Sequence, residues 1–269
     1  MSVTKEMLLR QLEDLCVPRN GIVLVHTSLR AVGATAGEGE TVLNALIEWC
    51  TGDGGLLCIP THTWKHLGTP EKITLDLTKN ETCIGTLPAL AAKDPRGFRT
   101  AHPTHSMAVF GDSARVLSFV DGEDGYITPA DPNGCYGKLY RESGKVLLLG
   151  VGHDKNTYLH SVEEMMNVPN RLSVLPRDVT VRYKTGEIVH RTVHSHHADG
   201  IRDVSSRYPK YEPAFRLHGA IKDGFFGNTK AQLCDARIMH DVLVLIRERS
   251  QGAELLLDLT PLPESLYAL

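Results

Sequence analysis

The sequence predicts an α/β fold: a central mixed β-sheet flanked by helices, with a C-terminal portion containing a β-hairpin, in a single domain over residues 1–269. Three observations lead there. The short apolar runs at 21–26 (GIVLVH), 56–60 (LLCIP) and 145–151 (KVLLLGV) are of the kind covered on both faces. Stretches of helical periodicity alternate with them. Further on, two runs alternate apolar and polar residues around Lys184-Thr185-Gly186, which marks a hairpin.

In chain order, residues 4–16 carry Met7, Leu8, Leu12, Leu15 and Cys16 at helical spacing, and Pro18 and Gly21 are expected to stop that helix. The strand at 21–26 follows. A glycine-bearing loop at 33–39 then leads to a second amphipathic helix over 41–50. The turn cluster TGDGG precedes the strand at 56–60. Residues 61–80 lack periodicity and read as a long surface excursion, a kind of segment that is often functional. A helix is expected at 85–93, a strand at 106–110, and after the strand at 145–151 a helix beginning near Asn156. The hairpin strands lie at 178–183 and 187–193. In the final α/β portion, 236–248 is the clearest helix.

Composition excludes several classes. Hydrophobic residues at 42% and charged residues at 23% suit a globular chain with its own core. A net charge of -3 argues against a nucleic-acid partner, which would require a basic face. No apolar run approaches the roughly 18 residues of a membrane span, and MSVTKEMLLRQLEDLC lacks a signal-peptide core. The six cysteines form no CxxC pair, as expected of reduced thiols, so a cytoplasmic location is expected. The 13 histidines are the one compositional oddity.

Four segments could carry chemistry. His26-Thr27-Ser28-Leu29-Arg30 stands where a strand ends, so its backbone N–H groups and hydroxyls could hold a phosphate or an amide; a plain helix N-cap is the simpler account. Residues 99–108 (RTAHPTHSMA) place two histidines at a strand mouth, with no GxSxG elbow to support a serine hydrolase. In residues 150–164, a helix begun near Asn156 would put Thr157, His160, Glu163 and Glu164 on one face. A carboxylate beside an imidazole fixes its tautomer and raises its basicity, as a general base requires. Finally, His190, His194 and His196 would share a face if the hairpin strand continued. They could then hold zinc, but a solvated polar stretch is the simpler reading and no metal is expected.

Taken together, these segments resemble the aminoglycoside 3-N-acetyltransferase family, a non-GNAT group of antibiotic acetyltransferases. The motifs occur in order: HTSLRAVG, GETVLNAL, GGLLCIPTHTW, IGTLP, RTAHPTHSMAVFG, then NGCYGKLYRESGKVLLLGVGHDKNTYLHSVEE. The match is close over residues 20–170 and thins after the hairpin. It implies acetyl transfer from acetyl-CoA to the 3-amino group of an aminoglycoside through a ternary complex, without an acetyl-enzyme. It further implies that His160, in Thr157-Tyr158-Leu159-His160, is the base, with Glu163 as partner of the imidazole. Thr157 is a candidate oxyanion donor on chemical grounds. By the same resemblance Thr27, Ser28, Leu29 and Arg30, together with Ser106, Met107 and Ala108, look like CoA-binding elements.

An aminoglycoside is a polycation, so carboxylates should line its pocket. His62, Trp64, Asp76, Asp199 and Asp203 are the acceptor-side candidates. Histidines at 194, 196 and 197 sit among them, so a different amine stays open as acceptor. So do a zinc hydrolase built on residues 190–197 and an idle acyl-CoA-binding relative. Oligomeric state leaves no mark in the sequence.

Overall fold

The structure, a computed structural model, describes residues 3–33, 39–67 and 73–269. Elements in chain order are α1 (Lys5–Asp14), β1 (Ile22–Thr27), α2 (Leu29–Val32), α3 (Gly39–Thr51), β2 (Leu56–Pro60), β3 (Leu75–Asp76), α4 (Thr86–Lys93), β4 (Phe98–Arg99) and β5 (Met107–Phe110). There follow α5 (Ser113–Val120), α6 (Cys135–Arg141), β6 (Lys145–Leu149), α7 (Tyr158–Met165), β7 (Arg177–Arg182) and β8 (Ile188–Val193). The last are α8 (Glu212–Leu217), β9 (Ile221–Phe226), β10 (Thr229–Asp235) and α9 (Ala236–Arg249).

Seven strands form one sheet in the order β4-β5-β2-β1-β6-β10-β9. β1 pairs in parallel with both β2 and β6, and antiparallel strands complete each edge. The apolar runs owe their continuity to this position. Along β1, Ile22 and Leu24 pack into the core on one face, and Val23 and Val25 into the core on the other. Side chains that alternate across a doubly covered strand must all be apolar. α1, α3 and α4 cover one face through residues such as Leu8, Leu46 and Leu87. α6, α7, α8 and α9 cover the other through Tyr136, Leu159, Phe215 and Leu243.

Because the chain leaves β1 for β2 on one side and reaches β6 on the other, the carboxyl ends of these three parallel strands flank a crevice. Parallel sheets place ligands at such a switch point. Just past β6, Gly150 has φ +66°, and a Cβ there would stand 2.5 Å from the Ala31 Cβ. Only glycine accepts that backbone at that distance.

The expected elements are present with three differences. α1 ends at Asp14, before Pro18, because Cys16 turns left-handed (φ 59°) and the Val17 N–H closes on Leu12. The hairpin β7–β8 is not part of the central sheet but pairs with β3 in a separate three-stranded one. β3 itself arises within the 61–80 excursion. The loop expected at 33–39 lies largely outside the described residues, as do 68–72. No helix among the described residues is long and apolar enough to cross a membrane.

Candidate active site

A cleft of about 1130 Å³ opens at the ends of β1, β2 and β6. Its wall is built from the end of β1 and the start of α2 (Thr27, Ser28, Leu29 and Arg30), the loop after β2 (His62, Trp64 and Lys65), and the start of α4. The opposite wall is the turn before α7 with Thr157 and His160, and the segment 195–205 that follows the hairpin. Ser28 caps α2, accepting from the Ala31 N–H at 3.3 Å, and it also lines the cleft.

His160 is 8% exposed, on the first turn of α7. Its Nδ1 lies 2.7 Å from the phenol oxygen of Tyr208. That phenol donates to Glu163 Oε2 at 2.6 Å. A phenol has one proton. With that proton directed to the carboxylate, the phenol oxygen accepts from Nδ1–H, and the lone pair of His160 is left on Nε2. Glu163 in turn accepts from Arg171 Nε at 2.7 Å, and Arg171 continues to Glu254 at 2.7 and 3.0 Å. Tyr208 and Glu163 are buried, with 0% and 2% exposure.

Glu163 therefore does not touch the imidazole, contrary to the expected pairing; Tyr208 stands between them. Burial pushes the Glu163 carboxyl above its ordinary value, against the opposing pull of the Arg171 guanidinium and the Tyr208 phenol. Burial holds the His160 imidazole well below the ordinary histidine range, with His196, His62 and Arg171 adding to the effect. Glu164, on the same helix, leaves the site: it accepts from the Ala130 N–H at 3.2 Å, and burial pushes it up to about 7.

A group of imidazoles surrounds the base. His196 stacks on His160 with ring centroids 3.7 Å apart and 16° between planes, and His105 meets His196 edge-on at 5.0 Å. His62 lies 4.3 Å from His105 and its Nε2 is 2.8 Å from the Tyr136 hydroxyl. The expectation of a solvated polar stretch at 190–197 fails for His196, which turns inward because β8 stops at Val193. The other three scatter: His190 to Thr180, His194 to the Ser173 carbonyl, His197 to Asp199. Among the described residues no three or more His, Cys, Asp or Glu side chains are arranged so that they could hold a metal ion.

Other expected site residues lie elsewhere. Ser106, Met107 and Ala108 are sealed in the core, at 0%, 0% and 1% exposure. The Ser106 hydroxyl donates to the Thr61 carbonyl, and Met107 and Ala108 pair with Pro60 and Ile59 of β2. It is Thr104 and His105 of that segment that reach the cleft. Asp76 is an ion partner of Arg182 at 3.1 Å in the small sheet, outside the cleft. Asp199 points to solvent beside His197, whereas Asp203 does line the cleft and also caps the following turn at Ser205.

Tyr208 and Arg171 carried no sequence signal, since they reach Glu163 from 45 and 8 residues downstream, outside the helix motif.

Residues 24–246 match the family profile described as aminoglycoside 3-N-acetyltransferase. The chain is 28% identical to aminoglycoside N(3)-acetyltransferase VII of Streptomyces paromomycinus, over 94% of each chain. Among solved structures, it matches a histidine-to-alanine variant of aminoglycoside acetyltransferase AAC(3)-IVa in complex with apramycin. That likeness has 26% identity and a TM-score of 0.72, over 94% of this chain and 98% of the other. The fold also matches AAC-IIIb, solved as a binary complex with CoASH, at a TM-score of 0.77 and 19% identity, over 93% and 98% of the two chains. A cleft at the switch point, a helix-borne histidine and this match together place the chain in the aminoglycoside 3-N-acetyltransferase family of acyltransferases.

Proposed function

We propose that this protein transfers the acetyl group of acetyl-CoA directly to the 3-amino group of an aminoglycoside, with His160 as general base. The observation that carries this reading is the chain Arg171–Glu163–Tyr208–His160, which leaves the His160 Nε2 lone pair free at a cleft large enough for two ligands.

An ammonium group is no nucleophile, so it first gives up one proton to solvent, and the neutral amine must lose a second as its nitrogen bonds to carbon. The amine nitrogen adds to the thioester carbon while Nε2 takes the proton. The C–S bond then breaks, and the imidazolium returns that proton to the departing CoA thiolate. Thr157, beside His160 in the cleft, is a candidate donor to the oxyanion between these steps. Arg30, Lys65 and Lys155 on the cleft wall suit the phosphates of acetyl-CoA. No acetyl-enzyme is needed, because the base activates the amine and not a protein nucleophile. All six cysteines are free thiols, which supports a cytoplasmic location.

One observation favours a second acceptor class. Asp154 and Asp203 are the carboxylates among the described cleft residues, against Arg30, Lys65, Lys155, Arg177 and Arg202. Asp154 already pairs with Lys155 at 2.9 Å. That wall suits an amine with fewer positive charges than an aminoglycoside. The test is a panel containing apramycin, gentamicin and mono-amino sugars, incubated with acetyl-CoA and read by free thiol and product mass. Acetylated apramycin or gentamicin supports the first reading, product only from mono-amines supports the second, and no product from any amine removes both.

A further inference from the structure

We infer that His196 is a positioning residue for the base: its ring face covers the His160 imidazole, shuts water out from that side, and keeps His160 neutral. The inference rests on His160 being the base, but its first readout needs no acceptor.

The two rings lie 3.7 Å apart and nearly parallel at 16°. The edge of His105 backs the far side of His196 at 5.0 Å and 86°, so the covering ring is itself held. The backbone is pinned as well. His196 forms a bridge with Leu172, the Ser173 N–H donates to the Ser195 carbonyl at 2.9 Å, and the His197 N–H donates to the Arg171 carbonyl at 3.0 Å. Arg171 is also the residue that fixes Glu163. The covering ring and the hydrogen-bonded chain behind the base thus share one anchor, and a shift in one moves the other.

What the ring does is narrowed by what it lacks. Both nitrogens of His196 are shielded from solvent and have no hydrogen-bond partner. Burying unpaired polar atoms costs free energy, so in this state the ring contributes through its face. Facing His160 are the rings of His196 and Tyr208, with the His62 imidazole and the Arg171–Glu163 pair beyond them. No carboxylate touches the imidazole, because Tyr208 intervenes. An imidazolium formed there would be poorly hydrated, and the covering face is what denies it water. Burial pushes His196 itself down to about 3, with His102 adding to the effect and Asp203 opposing it.

The test compares His196→Ala, His196→Phe and His196→Gln by 15N NMR titration of the free enzyme's imidazoles. His196→Phe restores a flat cover without nitrogens and should leave His160 titrating as in the wild type. Ala and Gln remove the flat face, and His160 should then titrate about one pH unit higher, a tenfold gain in proton affinity. The Gln variant keeps the comparison alive if Ala folds poorly. With an active acceptor, the acid limb of kcat/KM should move by the same amount, leaving the alkaline plateau in place. An unmoved His160 in both Ala and Gln overturns the inference, and so does a shift in Phe as large as theirs. If no amine is acetylated, the proposed function fails while the titration still decides this point.

Discussion

The Tyr208 phenol oxygen stands 2.7 Å from Nδ1 of His160, and its proton is directed to Glu163 at 2.6 Å. One hydroxyl thereby sets which nitrogen of the base carries hydrogen. Tyr208→Phe keeps the ring and removes that choice. The expected result is a kcat loss of about 10- to 100-fold. A stability loss of about 1–3 kcal/mol should accompany it, since Nδ1 and Oε2 are left unpaired in the core. Steady-state kinetics and chemical unfolding on the same preparation check both figures. A wild-type kcat would show that the tautomer is fixed by something else.

Arg171 is the counter-ion that lets Glu163 stay charged at 2% exposure. Removing one partner of a buried pair costs about 3–5 kcal/mol, because the other is left uncompensated. Arg171→Met should therefore cost that much in unfolding free energy. Arg171→Met combined with Glu163→Leu, which removes both charges, should recover much of it. A double mutant no more stable than Arg171→Met would mean that packing, not charge, holds this corner.

Stability should fall on acidification from near neutrality. Burial lowers seven imidazoles, with His26 and His196 at about 3, His102 and His153 at about 4, and His62, His105 and His160 well below the ordinary histidine range. A base neutral when folded and titrating near 6.5 when unfolded contributes stability above that unfolded value. The contribution is lost as pH falls toward the folded one. Burial raises three carboxyls, Glu123, Glu163 and Glu164, which act the opposite way: their contribution is present below about 4.5 and lost as pH rises. Seven outnumber three, so the unfolding midpoint should climb between about pH 4.5 and 6.5. A flat profile in thermal unfolding across that range would contradict this account of the imidazoles.

Arg30 lies at the start of α2 on the cleft wall and has no carboxylate partner among the described residues. Its expected role is to meet a phosphate of acetyl-CoA. Arg30→Ala should raise the KM for acetyl-CoA about tenfold, the loss of one charge-assisted contact, and leave the acceptor KM unchanged. Initial rates with each substrate varied in turn separate the two; a rise in acceptor KM alone would move Arg30 to the other side of the cleft.

Much of the frame was legible because double burial writes itself as continuous apolar runs: β1, β2 and β6 stand where GIVLVH, LLCIP and KVLLLGV place them. β3 was not, since two residues have no period and Leu75–Asp76 owe their strand to β7 alone. In the site, strand ends pointed to Thr27–Arg30, and i,i+3 spacing placed His160 and Glu163 on one helix face. The direct contact inferred from that spacing was wrong because Tyr208, from a distant turn, fills the gap. His196 was misjudged because a period of two assumed a strand that stops at Val193. Contacts made by distant segments depend on packing, and no local pattern announces them.

The central claim is that His160 Nε2 takes the proton of the acceptor amine. The direct measurement is acetyl transfer by wild type and His160→Ala, from about pH 6 to 9, on whichever amine the panel identifies. General-base removal predicts a loss of about 10²- to 10⁴-fold that shrinks toward high pH, where more of the amine is already unprotonated. Near-normal turnover by His160→Ala at every pH would contradict the account and take His160 out of the mechanism.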